Sequence, residues 1–167
     1  MIRNLVIRPA EEADRAAIHA LVDAAFEGPS EAKLVDRLVA DNDVVLELVA
    51  LHEGTLVGHV LFSRLLVKTG NRLVPAVALA PLAVDPGSQR TGVGTALVEN
   101  AHHMVQEAGE TLSVVLGDPA YYGRFGYVHD RAAKFESAYQ CAALQALSWG
   151  DAPMAGKLIY APAFSDL

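Results

Sequence analysis

Residues 82–98, LAVDPGSQRTGVGTALV, place a short apolar strand before a turn and then a glycine-rich helix start. The first four N–H groups of a helix have no intrahelical partner, and the helix dipole adds partial positive charge at the same end. Gly92 and Gly94 have no Cβ atom, so a pyrophosphate can approach the main chain closely at these positions. The stretch therefore predicts an anion site built from backbone amides.

A helix with one buried face is predicted directly after this turn. Its apolar residues recur at the 3.6-residue period, and Gly109 is a natural stop. The periodic residues are Val93, Ala96, Leu97, Ala101, Met104, Val105 and Ala108. Because the helix leads to an apolar strand at 112–116, it forms a crossover connection between the two strands that flank it. They are expected to be parallel or splayed within an otherwise antiparallel sheet, and a split between them would admit a ligand.

Two familiar phosphate motifs do not fit the turn. Gly87 and Gly92 have the spacing of a P-loop, but Val93 stands where that loop needs a lysine. The dinucleotide fingerprint needs Gly or Ala at position 97, which is Leu97. Neither a P-loop nor a Rossmann-type site is therefore predicted.

The rest of the chain alternates strand-like and helix-like patterns. Amphipathic stripes predict helices at 18–26, ending near Gly28-Pro29, and at 34–39, ending at 41–43. Further strands are predicted at 5–7, 44–51, 55–67, 73–84 and 157–160, with residues 52–54 as a hairpin loop. The remainder of the C-terminal part, from residue 131 onward, carries no clear pattern.

Length and composition favour one compact domain over residues 1–167. The 167 residues are 52% hydrophobic and 20% charged, which is typical of a globular protein. No apolar run reaches the roughly 18 residues of a membrane span, and residues 1–4 are not followed by the apolar region of a signal peptide. We therefore expect a cytoplasmic protein without membrane contact. Cys141 is the only cysteine, which excludes an intrachain disulfide, and we interpret it as an ordinary small apolar residue.

The net charge limits the partners. A value of −7 argues against nucleic acid, whose phosphates require clustered Lys and Arg. A cationic amine is compatible with the electrostatic field of a negatively charged protein. Neither the spacing of His102 and His103 nor any other pattern predicts a metal site. A homodimer stays open, because nothing in the sequence fixes the oligomeric state.

Two motifs in order resemble the GNAT acetyltransferase superfamily. Residues Gln89 to Gly94 match its acyl-CoA motif Gln-x-x-Gly-x-Gly, and 118–127, DPAYYGRFGY, resemble its later Tyr-x-x-x-Gly-aromatic segment. The order LAPLAV then GDPAYYGRFGY also resembles a group of small bacterial acetyltransferases over nearly the whole chain. The resemblance implies an α/β fold whose mixed, mostly antiparallel sheet has a splayed parallel strand pair and flanking helices.

The resemblance also implies the residues that bind acetyl-CoA as cosubstrate. The backbone of Leu82, Ala83 and Val84 would hold the pantetheine arm, with the Leu82 amide on the thioester oxygen. The pyrophosphate would lie on the amides of Arg90, Thr91, Gly92, Val93, Gly94 and Thr95, with the side chains of Gln89 and Arg90 contributing. For these two side chains, the alternative is a solvated turn.

Tyr122 and Asp118 each have two possible roles. Tyr122 occupies the position whose phenol protonates the departing thiolate in many relatives, although packing under the helix is the alternative. Asp118 stands where the family often has Asn, so it either accepts a hydrogen bond from a pantetheine amide or caps the short helix that Pro119 begins.

The general base of many relatives is missing. Their Glu, two residues before the Leu-x-Val element, is replaced by Ala80. Glu27 and Glu31 border a loop that commonly flanks the acceptor pocket, and His59 and Ser63 share one face of a strand. All four are substrate-site candidates with a solvated or structural role as the alternative, and a water relay would also suffice.

The sequence thus predicts an acyl-CoA-dependent N-acyltransferase, with acetyl transferred to a primary amine by direct attack in a ternary complex. Two alternatives stay open. One is acetylation of a protein amino group, and the other is an acyl-CoA-binding sensor without turnover, which the missing Glu suggests.

Overall fold

The computed structural model describes residues 2–166, which form one eight-stranded sheet with helices on both faces. The strands are β1 (Leu5–Pro9), β2 (Val44–His52), β3 (Thr55–Thr69), β4 (Arg72–Val84), β5 (Leu112–Leu116), β6 (Phe135–Glu136), β7 (Leu144–Ser148) and β8 (Gly156–Ile159). The α-helices are α1 (Arg15–Phe26), α2 (Ser30–Ala40), α3 (Val93–Glu107), α4 (Pro119–Tyr122) and α5 (His129–Ala132). None of the helices in this part of the chain is both long and apolar enough to cross a bilayer.

The sheet has the order β1-β2-β3-β4-β5-β7, and β3 is its longest strand. One edge of β3 pairs with β4, while β2 and then β8 share the other edge. The pairs β4–β5 and β6–β8 are parallel and the rest are antiparallel. The predicted mixed, mostly antiparallel sheet is confirmed.

The parallel pair β4–β5 separates in the middle of the sheet. Its pairing ends at Leu79 with Val115, although β4 continues to Val84. At the same point β4 bulges, since Val60 and Phe62 of β3 face Leu82 and Leu79. The cis Ala80–Pro81 peptide lies in this bulge. The predicted splay therefore begins where the strand bends away from its neighbour.

Helix α3 covers one face of the sheet and lies close to it. Its buried residues Val93 and Leu97 belong to a core cluster with Val60 and Phe62 of β3. A Cβ at Gly58 would lie 2.7 Å from Val93 Cγ1 and 2.8 Å from Leu97 Cδ1. The missing side chain at Gly58 thus permits the close approach of the start of α3 to the sheet.

Helices α1 and α2 cover the opposite face. Their apolar stripes, including Ile18, Leu21 and Leu38, pack on Val49 and Leu61. A separate cluster beside them joins β5 and the C-terminal strands. Cys141 is a free and exposed cysteine. It lies in the turn before β7, a segment whose pattern indicated no strand.

Candidate active site

The turn between β4 and α3 is ordered by its own hydrogen bonds. The Gly87 amide donates to Asp85 Oδ2 at 3.0 Å, and the Thr91 hydroxyl donates to the Ser88 carbonyl. Gly92 has φ of 92°, a conformation that favours glycine, and α3 begins at the next residue. The amides at the start of α3 are therefore presented by a preformed turn, as a site for an anion requires.

A cavity of about 710 Å³ opens over this turn, and we call it the loop cavity. Ten of the predicted cofactor-binding residues line it: Leu82, Val84, Gln89, Arg90, Gly92, Val93, Gly94, Thr95, Asp118 and Tyr122. Ala83 is buried against α1 and α2, and Thr91 is bonded within the turn, so the side chains of both point to other parts of the structure. Gln89 Nε2 donates to the Val84 carbonyl at 3.3 Å.

Three further residues of the loop cavity were missed from the sequence, namely Ser88, Tyr121 and Arg124. The Arg124 guanidinium lies 4.6 Å from the centre of the Tyr121 ring. The Tyr121 hydroxyl in turn occupies the space in which a Cβ of Gly94 would lie. Gly94 thus makes room for Tyr121, a reason that differs from the predicted approach of a pyrophosphate. The basic residue in Tyr-Tyr-Gly-Arg was the available signal for Arg124.

A second cavity of about 530 Å³ occupies the gap between β4 and β5, and we call it the gap cavity. Residues 78–82 of β4 form one side, and Val114, Leu116 and Gly117 form the other. Phe26 and Leu34 close it from the helical face, and Tyr139, Tyr160 and Phe164 from the C-terminal part. The two cavities share Leu82, Asp118 and Tyr122, and they therefore meet at these residues.

Tyr122 packs edge-on against two other rings at this junction. Its ring centroid lies 5.0 Å from that of Tyr121 and 6.0 Å from that of Tyr127. Burial raises the pKa of the Tyr122 hydroxyl to about 12, with a smaller contribution from Tyr121. The phenol therefore keeps its proton at neutral pH.

Asp118 caps the short helix α4. Its Oδ1 accepts a hydrogen bond from the Ala120 amide at 2.9 Å, which is the capping interaction considered in the sequence. Because Asp118 also lines both cavities, a role toward pantetheine stays a prediction.

The four candidates for the acceptor site are not brought together. Glu31 lines the gap cavity. Glu27 ends α1 in a left-handed conformation and is not among the residues that line the gap cavity. His59 and Ser63 are fully buried on the α1–α2 face, and His59 Nε2 lies 2.7 Å from Glu47 Oε2. This geometry gives His59 a structural contact, and Glu31 alone of the four faces the gap cavity.

Comparisons with known proteins identify the family. A profile of the family described as "Acetyltransferase (GNAT) domain" matches residues 6–129. The chain is 38% identical over 144 residues to the uncharacterized N-acetyltransferase YhbS of Escherichia coli K12, covering 81% of this chain and 85% of that protein. It is 34% identical over 129 residues to the uncharacterized N-acetyltransferase YjhQ of the same strain, covering 75% and 71%.

Two solved structures share the fold closely. The crystal structure of Escherichia coli YhbS in complex with CoA has a TM-score of 0.87 at 31% identity and covers 96% of this chain and 92% of its own. A GNAT family acetyltransferase from Brucella melitensis, in complex with acetyl-CoA, has a TM-score of 0.82 at 31% identity, covering 96% and 98%. The match over most of the chain, in sequence and in fold, shows that this protein belongs to the GNAT acetyltransferase family.

Proposed function

We propose that this protein transfers an acetyl group from acetyl-CoA to a primary amine by direct attack in a ternary complex. The observation that carries the proposal is the meeting of the two cavities at Leu82, Asp118 and Tyr122. We assign one cavity to the cosubstrate and the other to the acceptor, an arrangement that would hold both at once.

The loop cavity fits the pyrophosphate and pantetheine of CoA. Arg90 and Arg124 supply positive charge to an otherwise acidic protein, and the start of α3 supplies backbone donors. The CoA complex of YhbS and the acetyl-CoA complex of the Brucella protein support this assignment. Bound acetyl-CoA supplies an activated acetyl thioester.

The residues at the junction then have distinct roles. The Leu82 amide donates a hydrogen bond to the thioester oxygen as negative charge develops there. The Tyr122 hydroxyl gives its proton to the sulfur as the carbon–sulfur bond breaks and the carbon–nitrogen bond forms. A phenol with a raised pKa can do this because the desolvation that raises it also raises the pKa of a buried thiol. The proton that the attacking amine loses leaves to Glu31 or to water, and the Tyr122 phenolate takes a proton back from water after the thiol has formed.

Replacement of Tyr122 by Phe tests the proposal. We expect kcat for acetyl transfer to fall by about 10²- to 10³-fold, since a general acid contributes on that order, while the Kd of CoA from isothermal titration stays within about threefold. Tyr127→Phe is the matched control. Its hydroxyl bonds to Ser113 and His102 outside both cavities, so its loss lowers stability by about 1 kcal/mol and leaves kcat unchanged.

Full kcat in Tyr122→Phe would contradict the general-acid role. A wild-type protein that binds CoA tightly yet releases no thiol with any amine would instead support the sensor alternative, in which the site binds without turnover.

A further inference from the structure

The gap cavity is larger, and its lining more apolar, than the binding of a small amine requires. The aromatic and aliphatic side chains of Phe26, Leu34, Leu116 and Phe164 dominate its surface. An ammonium group is about as large as a water molecule, which takes about 30 Å³ in the liquid. A cavity of about 530 Å³ therefore has room for a far larger body than a small amine needs, and that body would meet mostly apolar surface.

The charged groups of the gap cavity all have the same sign. Glu31 and Asp118 line it, and none of the lining residues in the described part of the chain is Lys, Arg or His. A cationic amine would be favoured there, whereas an acceptor with its own carboxylate would meet two like charges and no partner. This arrangement disfavours the binding of ordinary amino acids.

An aromatic wall closes the far end of the gap cavity. The Tyr139 and Tyr160 rings lie 5.2 Å apart at 89°, and Phe164 lies 5.2 Å from Tyr160. The Tyr139 hydroxyl donates to the Phe164 carbonyl at 3.3 Å, which ties the wall together. Behind it is another cavity, of about 260 Å³, to which the same three residues contribute. The wall therefore sets the length of an acceptor.

We propose that the acceptor is a hydrophobic primary amine without a carboxylate, its alkyl or aryl body held in the gap cavity and its length limited by Tyr139, Tyr160 and Phe164. This inference rests on the proposed acetyltransferase function. Matched amines test it directly. Phenethylamine differs from phenylalanine only by the carboxylate and from ethylamine only by the phenyl group.

With acetyl-CoA, we expect kcat/KM for phenethylamine to exceed that for ethylamine by about 100-fold or more, because one buried methylene alone is worth roughly tenfold and the phenyl group is larger. We expect a difference of about the same size from phenylalanine, because its carboxylate would lie near Glu31 and Asp118 without a basic partner. Spermidine should be equally poor, since its inner amine would lie on apolar surface. In titrations of CoA-saturated protein, phenethylamine should bind and phenylalanine should not. Equal kcat/KM values for these amines would overturn the inference while leaving the acetyltransferase proposal intact.

Two further outcomes are distinguishable. If CoA binds but no amine reacts, the acetyltransferase proposal fails, and the titration alone decides whether the gap cavity binds phenethylamine. If octanoyl-CoA reacts with ethylamine more efficiently than acetyl-CoA does, the cavity holds an acyl chain and the inference is overturned.

Variants of the wall test the length limit. In Phe164→Ala, with Phe164→Leu as a milder second variant, the activity ratio of 4-phenylbutylamine to phenethylamine should rise about tenfold. Leu73→Ala, at an exposed position of β4 outside both cavities, is the control and should leave the ratio unchanged. An unchanged ratio in both Phe164 variants, with normal CoA binding, would remove the wall from the proposal.

Discussion

At the scale of single residues, the Tyr122 ring occupies space that is free because residue 117 is a glycine. Gly117 follows β5 directly, and a Cβ built on it would lie 2.6 Å from Cε2 and 3.1 Å from Cδ2 of the Tyr122 ring. Its backbone is outside the left-handed region, so alanine strains nothing there except this contact. Gly117 is therefore a positioning residue for the proposed general acid.

The Gly117→Ala variant should displace the Tyr122 ring and lower kcat by about tenfold or more, because misplacement of about 1 Å can cost 10²-fold. Gly123→Ala is the control, since a Cβ there meets no heavy atom within 4 Å. Steady-state kinetics on both variants, with CoA titration to verify binding, makes the comparison. Equal kcat values in the two variants would remove the positioning role.

At the scale of elements, a buried charged group joins α1, β2 and β3. Glu47 Oε1 accepts a hydrogen bond from Arg15 of α1, and its Oε2 lies 2.7 Å from His59 Nε2 of β3. Burial alone would raise the pKa of the Glu47 carboxyl, but the hydrogen bonds of His59 and Arg15 outweigh it and hold that pKa below its ordinary value. The group fixes α1 against the sheet beneath it.

Removal of the Glu47 charge should therefore be costly. We expect Glu47→Gln to lower the free energy of unfolding by about 2 kcal/mol, because the partly buried Arg15 and the buried His59 lose their charged acceptor. Glu53→Gln, in the exposed β2–β3 turn, should change it by less than about 0.5 kcal/mol. Urea unfolding measures both. In wild type, the lowered pKa means that this contribution is present above the unfolded-state pKa and is lost as pH falls through the folded-state value.

The elements also divide by how far the sequence predicted them. Helices α1 to α3 were predicted from their amphipathic stripes, and strands β1 to β5 and β8 from their apolar runs. Strand β6 has two residues and α5 has four, which is too short for any pattern, and β7 forms an edge paired to β5 far earlier in the chain. Most residues that line the loop cavity were predicted from the sequence, because they lie in two short segments of the chain. The gap cavity extends from Phe26 to Phe164, and no local pattern indicates that juxtaposition.

At the scale of the whole molecule, His102 links α3 to the sheet and to the C-terminal part. Its Nε2 lies 2.9 Å from the Tyr127 hydroxyl, which lies 2.8 Å from Ser113 Oγ of β5. The rings of Phe62, Phe125 and Trp149 surround it. Burial among them lowers the pKa of His102 to about 4. The next residue, His103, is exposed and lies 3.1 Å from Glu107, so the two histidines diverge.

This burial makes folding sensitive to mild acid. The folded pKa lies below the unfolded value near 6.5, so the unfolded chain binds the extra proton first, and stability falls as pH drops from about 6.5 to 4. The loss from His102 should reach roughly 3 kcal/mol at pH 4. We expect the free energies of unfolding of wild type and His102→Leu, measured with urea across this pH range, to converge as the pH falls. Parallel curves would contradict the assignment, and His103→Gln should run parallel to wild type.

The gap between β4 and β5 also affects how such a protein can change over generations. Main-chain N–H and C=O groups are the same whatever side chain a residue carries. A cosubstrate arm held along a strand edge thus depends little on the identity of that strand's residues, whereas an acceptor enclosed by side chains depends on every one. Under the proposed function, mutation can therefore change the preferred amine stepwise while binding of the common acyl donor is retained.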